Sequence, residues 1–200
     1  MNKSLVLIII CFTFFSCIEI KNKFHNYLKF FDEKFVSHFP KKGRCIHFLM
    51  TFKSDIKNGT KLHVIKEINK EDIVALTKVS KNIKQVYRSN DKCLLITNRL
   101  KWADKIEYDS LLRKLTYSCD SFSLPIPNFY LWSRMFKSVN SNGLPDDFII
   151  YVIDAEPGIY MKEKYCTEGL GLPRKWKNGY SKGIAVSMDR KLIIYWIEIW

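Results

Sequence analysis

"YSKGIAVSMDRKLIIYWIEIW" (residues 180–200) closes the chain and decides its fold. Two β-rich runs, Tyr180–Met188 and Leu192–Trp200, flank Asp189-Arg190. Strand-like runs joined by a short polar turn are typical of an antiparallel hairpin. We therefore predict a C-terminal β-hairpin.

The last predicted strand is apolar on both faces. Ile193, Tyr195, Ile197 and Ile199 alternate with Leu192, Ile194, Trp196 and Trp200, and only Glu198 interrupts the second set. Such a strand is covered on both faces, so we expect it in the core, with a structural role. The preceding run has a face of small residues that admits a bulky side chain or a helix: Ser181, Gly183, Ala185 and Ser187.

Helical and strand-like segments interleave irregularly before this hairpin. Apolar periodicity predicts three helices, and alternation between turn signals predicts the strands. An irregular mixture that ends in an antiparallel pair predicts one α+β domain, with helices packed on a mainly antiparallel sheet. The predicted helices are Lys21–Phe39, Lys70–Asn82 with Asn69 as its cap, and Lys101–Cys119; the other predicted strands are Arg44–Lys53, Thr60–Ile68, Lys92–Thr97 and Asp147–Asp154.

Composition places the chain among globular proteins with a basic surface. Hydrophobic residues make up 47% and aromatic residues 14% of the 200 positions, and the formal net charge is +13. A positive charge of this size favours anionic lipid or polysaccharide as a partner. The basic residues do not gather into one nucleic-acid footprint, so we expect no nucleic-acid partner.

The N-terminus reads as an export signal. Lys3 precedes the apolar run Leu5–Phe15, and Ser16 and Cys17 follow it. A basic start, an apolar core of about 7–15 residues and a small residue form a secretory signal. The run is shorter than the roughly 20 residues of a spanning helix. We predict a signal peptide at 1–16 and one domain at 17–200; a plain secretory signal and an uncleaved anchor are the alternatives.

The placement of Cys17 directly after Ser16 resembles a bacterial lipoprotein signal, in which this cysteine is acylated and becomes the mature N-terminus. The Lys-, Asn-, Ile- and Phe-rich composition is similar to that of small lipoproteins of the Bacteroidetes type. Phe14 departs from the Leu that usually stands three residues before the cysteine. The resemblance implies a membrane-anchored protein of the cell envelope.

Four of the six cysteines lie outside the signal and the lipidation position: Cys45, Cys93, Cys119 and Cys166. Cys119 and Cys166 lie next to loop-like sequence and are the predicted disulfide pair. Cys45 and Cys93 each open an apolar run, which favours buried thiols. No cysteine has zinc-site spacing, so we predict no metal site.

Common catalytic and cofactor-binding motifs are missing from the sequence, and no cofactor is predicted. Asp154 and Glu156 follow a strand and precede a turn, where a glycan hydrolase keeps an acid and a base. Strand ends also carry Asp for reasons of turn geometry. His47 and His63 lie in predicted strands and approach each other if those strands pair.

These observations favour a non-enzymatic envelope protein that binds a ligand or serves a structural role. The first alternative is a small envelope hydrolase acting on glycan or peptide, with Asp154 or Glu156 as its acid. The second is a basic scaffold that recruits an acidic partner. A raised carboxyl pKa in a concave site would favour the enzyme, an aromatic cleft without such a carboxyl group would favour the binder, and the absence of both would favour the scaffold.

Overall fold

The computed structural model describes residues 26–40, 47–51, 60–79, 82–97, 123–169 and 172–200. Eight strands and two complete α-helices lie in these ranges, and residues 26–28 are also helical. Short 3₁₀ helices occupy Tyr130–Met135, Glu163–Tyr165 and Arg174–Trp176. The strands are β1 His47–Thr51, β2 Thr60–Glu67, β3 Gln85–Arg88, β4 Leu95–Ile96, β5 Pro125–Ile126, β6 Ile149–Pro157, β7 Gly179–Ser187 and β8 Leu192–Ile199; the helices are α1 Glu33–Val36 and α2 Lys70–Val79.

Six strands form one antiparallel sheet in the order β1-β2-β8-β7-β6-β3. The predicted hairpin β7–β8 lies in the middle of this sheet, with Ile184 opposite Tyr195. Strands β4 and β5 form a separate parallel pair. The prediction of a single α+β domain with a mainly antiparallel sheet and a C-terminal hairpin is confirmed.

Both faces of β8 are buried, as its sequence predicts. On the first face, Ile194, Trp196 and Trp200 belong to one apolar cluster. On the second face, a different apolar cluster contains Ile193, Tyr195, Ile197 and Ile199. Strands β4 and β5, the residues after β5 and the 3₁₀ helix Arg174–Trp176 contribute to the apolar cluster on the first face. The sheet therefore separates two cores.

The small residues of β7 make room for the largest side chain of β8. The indole of Trp196 lies so close to Gly183 that a Cβ there would collide with the ring and with the carbonyl oxygen of Tyr151. Trp196 Nε1 donates to Ser181 Oγ at 3.4 Å. The small-residue face thus accommodates a bulky side chain, as predicted.

The second face is covered by α1, α2 and the residues around them. Phe31, Phe35 and Phe39 are buried at four-residue spacing on this face. The predicted continuous helix is wrong in its described part, because Asp32 is extended (ψ 143°) and α1 begins after it. Aspartate favours such a helix-start position over a helix interior.

Helix α2 begins where the sequence predicts. Asn69 Oδ1 accepts a hydrogen bond from the Asp72 amide at 2.9 Å, and Asp72 Oδ2 accepts one from the Asn69 amide at 2.8 Å. This reciprocal pair is a capping box. Buried Asp72 also accepts hydrogen bonds from Lys66 Nζ at 2.7 Å and Tyr195 OH at 2.9 Å, which fix the first turn of α2 to the sheet.

Several predicted features lie outside the described residues: the signal peptide at 1–16, Cys17, Cys45 and the whole of the helix Lys101–Cys119. The Cys119 position is among them. Strand β3 was not predicted from sequence. Its four residues are too few to show a clear alternation.

Candidate functional site

A groove of about 530 Å³ lies on the second face, beside the hairpin turn. Its size falls within the range of roughly 300–1,000 Å³ that small-molecule sites occupy. Ile149 is 40% exposed and Met188 62% exposed at this groove. The apolar walls come from α2, β6, β7 and neighbouring turns: Leu76, Ile83, Ile149, Tyr151, Ile184, Val186 and Met188.

The polar part of the groove is acidic. Asp147, Asp189 and Thr77 complete its lining. Asp147 is held by Arg190, whose Nε lies 3.0 Å from both carboxylate oxygens, and by the Ser187 hydroxyl. Burial by itself would raise the pKa of Asp147, but these hydrogen bonds outweigh it and the pKa lies below its usual value. Asp147 is therefore a fixed anion at the groove.

The groove was not predicted from sequence. The pattern assigned a purely structural role to the hairpin, yet Ile184, Val186 and Met188 form part of the groove wall. Only the position of α2 relative to β6 and β7 creates the cleft. The one local sequence feature that could have indicated the groove is Met188, a large apolar residue at the turn directly after β7.

The predicted acids Asp154 and Glu156 lie near one another at the end of β6. Lys84 Nζ lies 2.5 Å from Asp154 Oδ1 and 3.7 Å from Glu156 Oε1. A β-bulge after Val152 sets Asp154 opposite Lys182, whose Nζ lies 3.9 Å from its carboxylate. Both acids therefore contact the same lysine, Lys84, and they do not face an open cleft.

Hydrogen bonds keep Asp154 ionised. Burial by itself would raise its pKa, but Lys84 and the Tyr180 hydroxyl donate hydrogen bonds that hold the pKa below its usual value. Tyr160 OH donates to Glu156 at 3.0 Å. A general acid at neutral pH needs a raised pKa, so this geometry suits an ion-pair network at Asp154 better than the acid of a hydrolase.

Aromatic side chains of the irregular segments and of β7 are divided between the two faces of the sheet. Tyr160 and Tyr180 pack edge to face, with ring centroids 4.6 Å apart, on the second face. Trp176 packs against Trp200 on the first. The space over the small-residue face of β7 is filled by Trp196, and the ring of Phe129 packs against Trp196 with centroids 5.6 Å apart.

A buried polar cluster surrounds Glu198 on the first face. Lys61 lies directly across from it on β2, with its Nζ 3.6 Å from Oε1, and His63 Nε2 lies 3.2 Å from the same oxygen. The Thr97 hydroxyl donates to the other oxygen. All four side chains are buried. From the sequence, Glu198 was recognised only as an interruption of the apolar face of β8, and no partner was predicted for it.

Lys61 and its neighbours set the charge state of this cluster. Burial by itself would raise the pKa of Glu198, but the Lys61 ammonium and contacts with His63 and Thr97 outweigh it and lower the pKa. Burial lowers the pKa of His63, although Glu198 opposes this. The cluster is therefore a buried Lys–Glu ion pair beside a neutral imidazole.

The histidines do not converge on the predicted acids. His38 Nε2 donates to the Trp196 carbonyl oxygen at 2.9 Å, and burial lowers its pKa to about 3. Strands β1 and β2 pair as predicted, and their register sets His47 opposite Ile65, two residues from His63. His25 lies outside the described residues.

Cys93 forms a disulfide bond, so the prediction of a buried thiol there is wrong. Cys166 is a half-buried thiol whose Sγ lies 3.7 Å from the Met161 carbonyl oxygen. Cys119 lies outside the described residues, so the disulfide between Cys119 and Cys166 stays a prediction.

Within the described ranges, no group of three or more His, Cys, Asp or Glu side chains is placed to hold a metal ion. Those ranges likewise contain no helix with the length and apolar character needed to cross a membrane. Compared with known proteins, the chain matches no family model, no curated protein and no solved structure.

Proposed function

We propose that this protein is an exported, lipid-anchored protein of a bacterial cell envelope that binds a small amphipathic molecule in the groove beside α2. The groove is the observation that carries the binding part of this proposal. The signal-like segment and Cys17 carry the anchoring part, which rests on sequence.

The shape and lining of the groove support a binding role. Buried Ile184 and Val186 belong to the rigid centre of the sheet, and Asp72 fixes the start of α2. A preformed apolar cleft loses little conformational entropy when a ligand enters. Exposed Ile149 and Met188 leave apolar surface that a ligand would remove from water.

The polar residues of the groove select the ligand's polar end. Asp147 and Asp189 both lie in the lining; Arg190 offsets the charge of Asp147, so exposed Asp189 supplies the unbalanced negative charge. A carboxylate or phosphate would be repelled there, whereas an amine or a hydroxyl would find an acceptor. We therefore expect an apolar body with a cationic or neutral polar end.

Met188→Glu should weaken binding of N-phenyl-1-naphthylamine, an uncharged fluorescent probe, by about tenfold because it puts a charge in the apolar wall. The measurement is a fluorescence titration of the full chain. Dodecylamine should displace the probe at lower concentration than dodecanoate.

Met135→Glu is the matched control, since Met135 is 50% exposed but lies outside the groove lining. It should bind the probe like the parent. Equal affinity of parent and Met188→Glu would overturn the groove as the binding site, and preferential displacement by dodecanoate would overturn the assignment of the ligand's polar end.

Cys17→Ala should abolish anchoring. The parent should partition into detergent and resist release by salt, because acyl chains bind membranes through apolar contact. Intact-mass measurement of the parent should show acyl groups on Cys17 as the mature terminus. A mature terminus downstream of Cys17 without acyl groups would contradict the lipoprotein proposal and leave the groove proposal standing.

A further inference from the structure

A second groove, of about 300 Å³, lies near the N-terminal end of the described chain. Most of its lining residues are aromatic. Two of these aromatic side chains are exposed to solvent, Phe30 at 67% and Tyr165 at 37%. Exposed Ile159 precedes Tyr160, another wall residue. The lining is Phe30, Phe31, Asp32, Phe35, Tyr160, Met161, Tyr165 and Ile199.

Lysine ammonium groups lie on the rings around this groove. Lys34 Nζ is 4.8 Å from the centroid of Phe35 and 5.8 Å from that of Tyr160. Lys164 Nζ is 4.7 Å from the centroid of Tyr165. Aromatic rings accompanied by lysine ammonium groups suit the boundary between lipid and water, where rings enter the acyl region and lysines meet the head groups.

The flanking charges are mixed. Exposed Lys29 and Lys162 join Lys34 and Lys164, and the exposed acids of the same segments are Asp32, Glu33 and Glu163. The cations outnumber the acids by only one, so the net charge of this surface is small. We therefore expect insertion of the aromatic side chains to contribute more to membrane attraction than net charge.

The sequence brings this surface close to the predicted anchor. Cys17 lies nine positions before Asn26, the first described residue. An extended chain of that length spans at most about 30 Å. An acyl group on Cys17 would therefore hold the turns containing Phe30 within a short distance of the bilayer.

We infer that the surface formed by Phe30, Ile159, Tyr165 and their flanking lysines contacts the lipid bilayer and orients the domain on the membrane. This inference rests on the proposed lipid anchor. An anchor alone leaves a domain free to rotate, and a second contact fixes which face meets the lipid. The groove beside α2 has different lining residues, so its ligand binding can be tested independently of this membrane contact.

Hydrogen exchange on the membrane-bound protein tests the inference. The mature protein, purified from membranes, is reconstituted into vesicles of phosphatidylethanolamine and phosphatidylglycerol, and exchange is followed by mass spectrometry. Amides of residues 28–35 and 159–166 should exchange about tenfold more slowly in the parent than in Phe30→Asp, because bilayer contact protects them.

Tyr130→Asp is the matched control, because Tyr130 is 66% exposed on 3₁₀ helix Tyr130–Met135. It should exchange like the parent in both segments. Equal exchange in the parent and Phe30→Asp, with acylated Cys17 seen in the intact mass, would overturn the membrane surface and leave the anchor standing. Protection in a parent without acyl groups would support the surface and overturn the anchor.

Discussion

Trp196→Ala lowers the free energy of unfolding by about 3–5 kcal/mol, the range for deleting a buried large aromatic side chain. The indole is fully buried on the central strand, packs on Gly183 and Phe129, and donates to Ser181. A loss of this size is a large part of the roughly 5–15 kcal/mol that stabilises a domain. Denaturant unfolding of the full chain measures it.

A cavity explains why the loss is large. Gly183 has no side chain with which to refill the space, and its β-sheet neighbours are fixed by the antiparallel register. Trp196→Phe should cost less, because a phenyl ring retains part of the contact with Gly183. A melting temperature for Trp196→Ala within a degree or two of the parent value would contradict the buried position of this indole.

The hairpin was predictable because its information is local. Alternation of apolar residues on β8 fixes both of its faces, and small residues on β7 indicate where a bulky side chain packs. The Asn69 cap was predictable for the same reason, since a favoured N-cap residue directly precedes the helical pattern of α2.

The order of the strands was not predictable, because β2 (residues 60–67) pairs with β8 (residues 192–199), which is far from it in the sequence. The ion pair between Lys61 and Glu198 follows from that pairing and from nothing local. The groove beside α2 depends likewise on where one helix lies over distant strands. The disulfide of Cys93 was missed because sequence gives no distances between cysteines.

Glu198→Leu should cost about 3–5 kcal/mol of unfolding free energy, because it leaves the Lys61 ammonium buried without its counter-charge. Lys61 lies directly opposite Glu198 in the sheet and both side chains are almost fully buried. Thr97 would also lose its acceptor. The measurement is denaturant unfolding of the single variant beside the parent.

The double variant Lys61→Met/Glu198→Leu is the informative control. It removes both charges and fills their space with apolar atoms, which is often neutral or stabilising for a buried ion pair. We expect it to recover most of the loss caused by Glu198→Leu. A double variant as unstable as Glu198→Leu would contradict the assignment of the loss to the unpaired lysine.

Acid dependence provides the second measurement of the same pair. The pKa of Glu198 in the folded protein lies below its ordinary value of 4.5, despite the opposing effect of burial, because Lys61, His63 and Thr97 stabilise the carboxylate. A depressed folded pKa contributes stability that is fully present above about pH 4.5 and is lost as the pH falls through the folded value. The parent should therefore lose stability on acidification below pH 4.5 more steeply than the double variant, which has no carboxyl group at position 198. Acid limbs of equal slope would mean that Glu198 titrates alike in the folded and unfolded chains, and the buried ion pair would then make no pH-dependent contribution to stability.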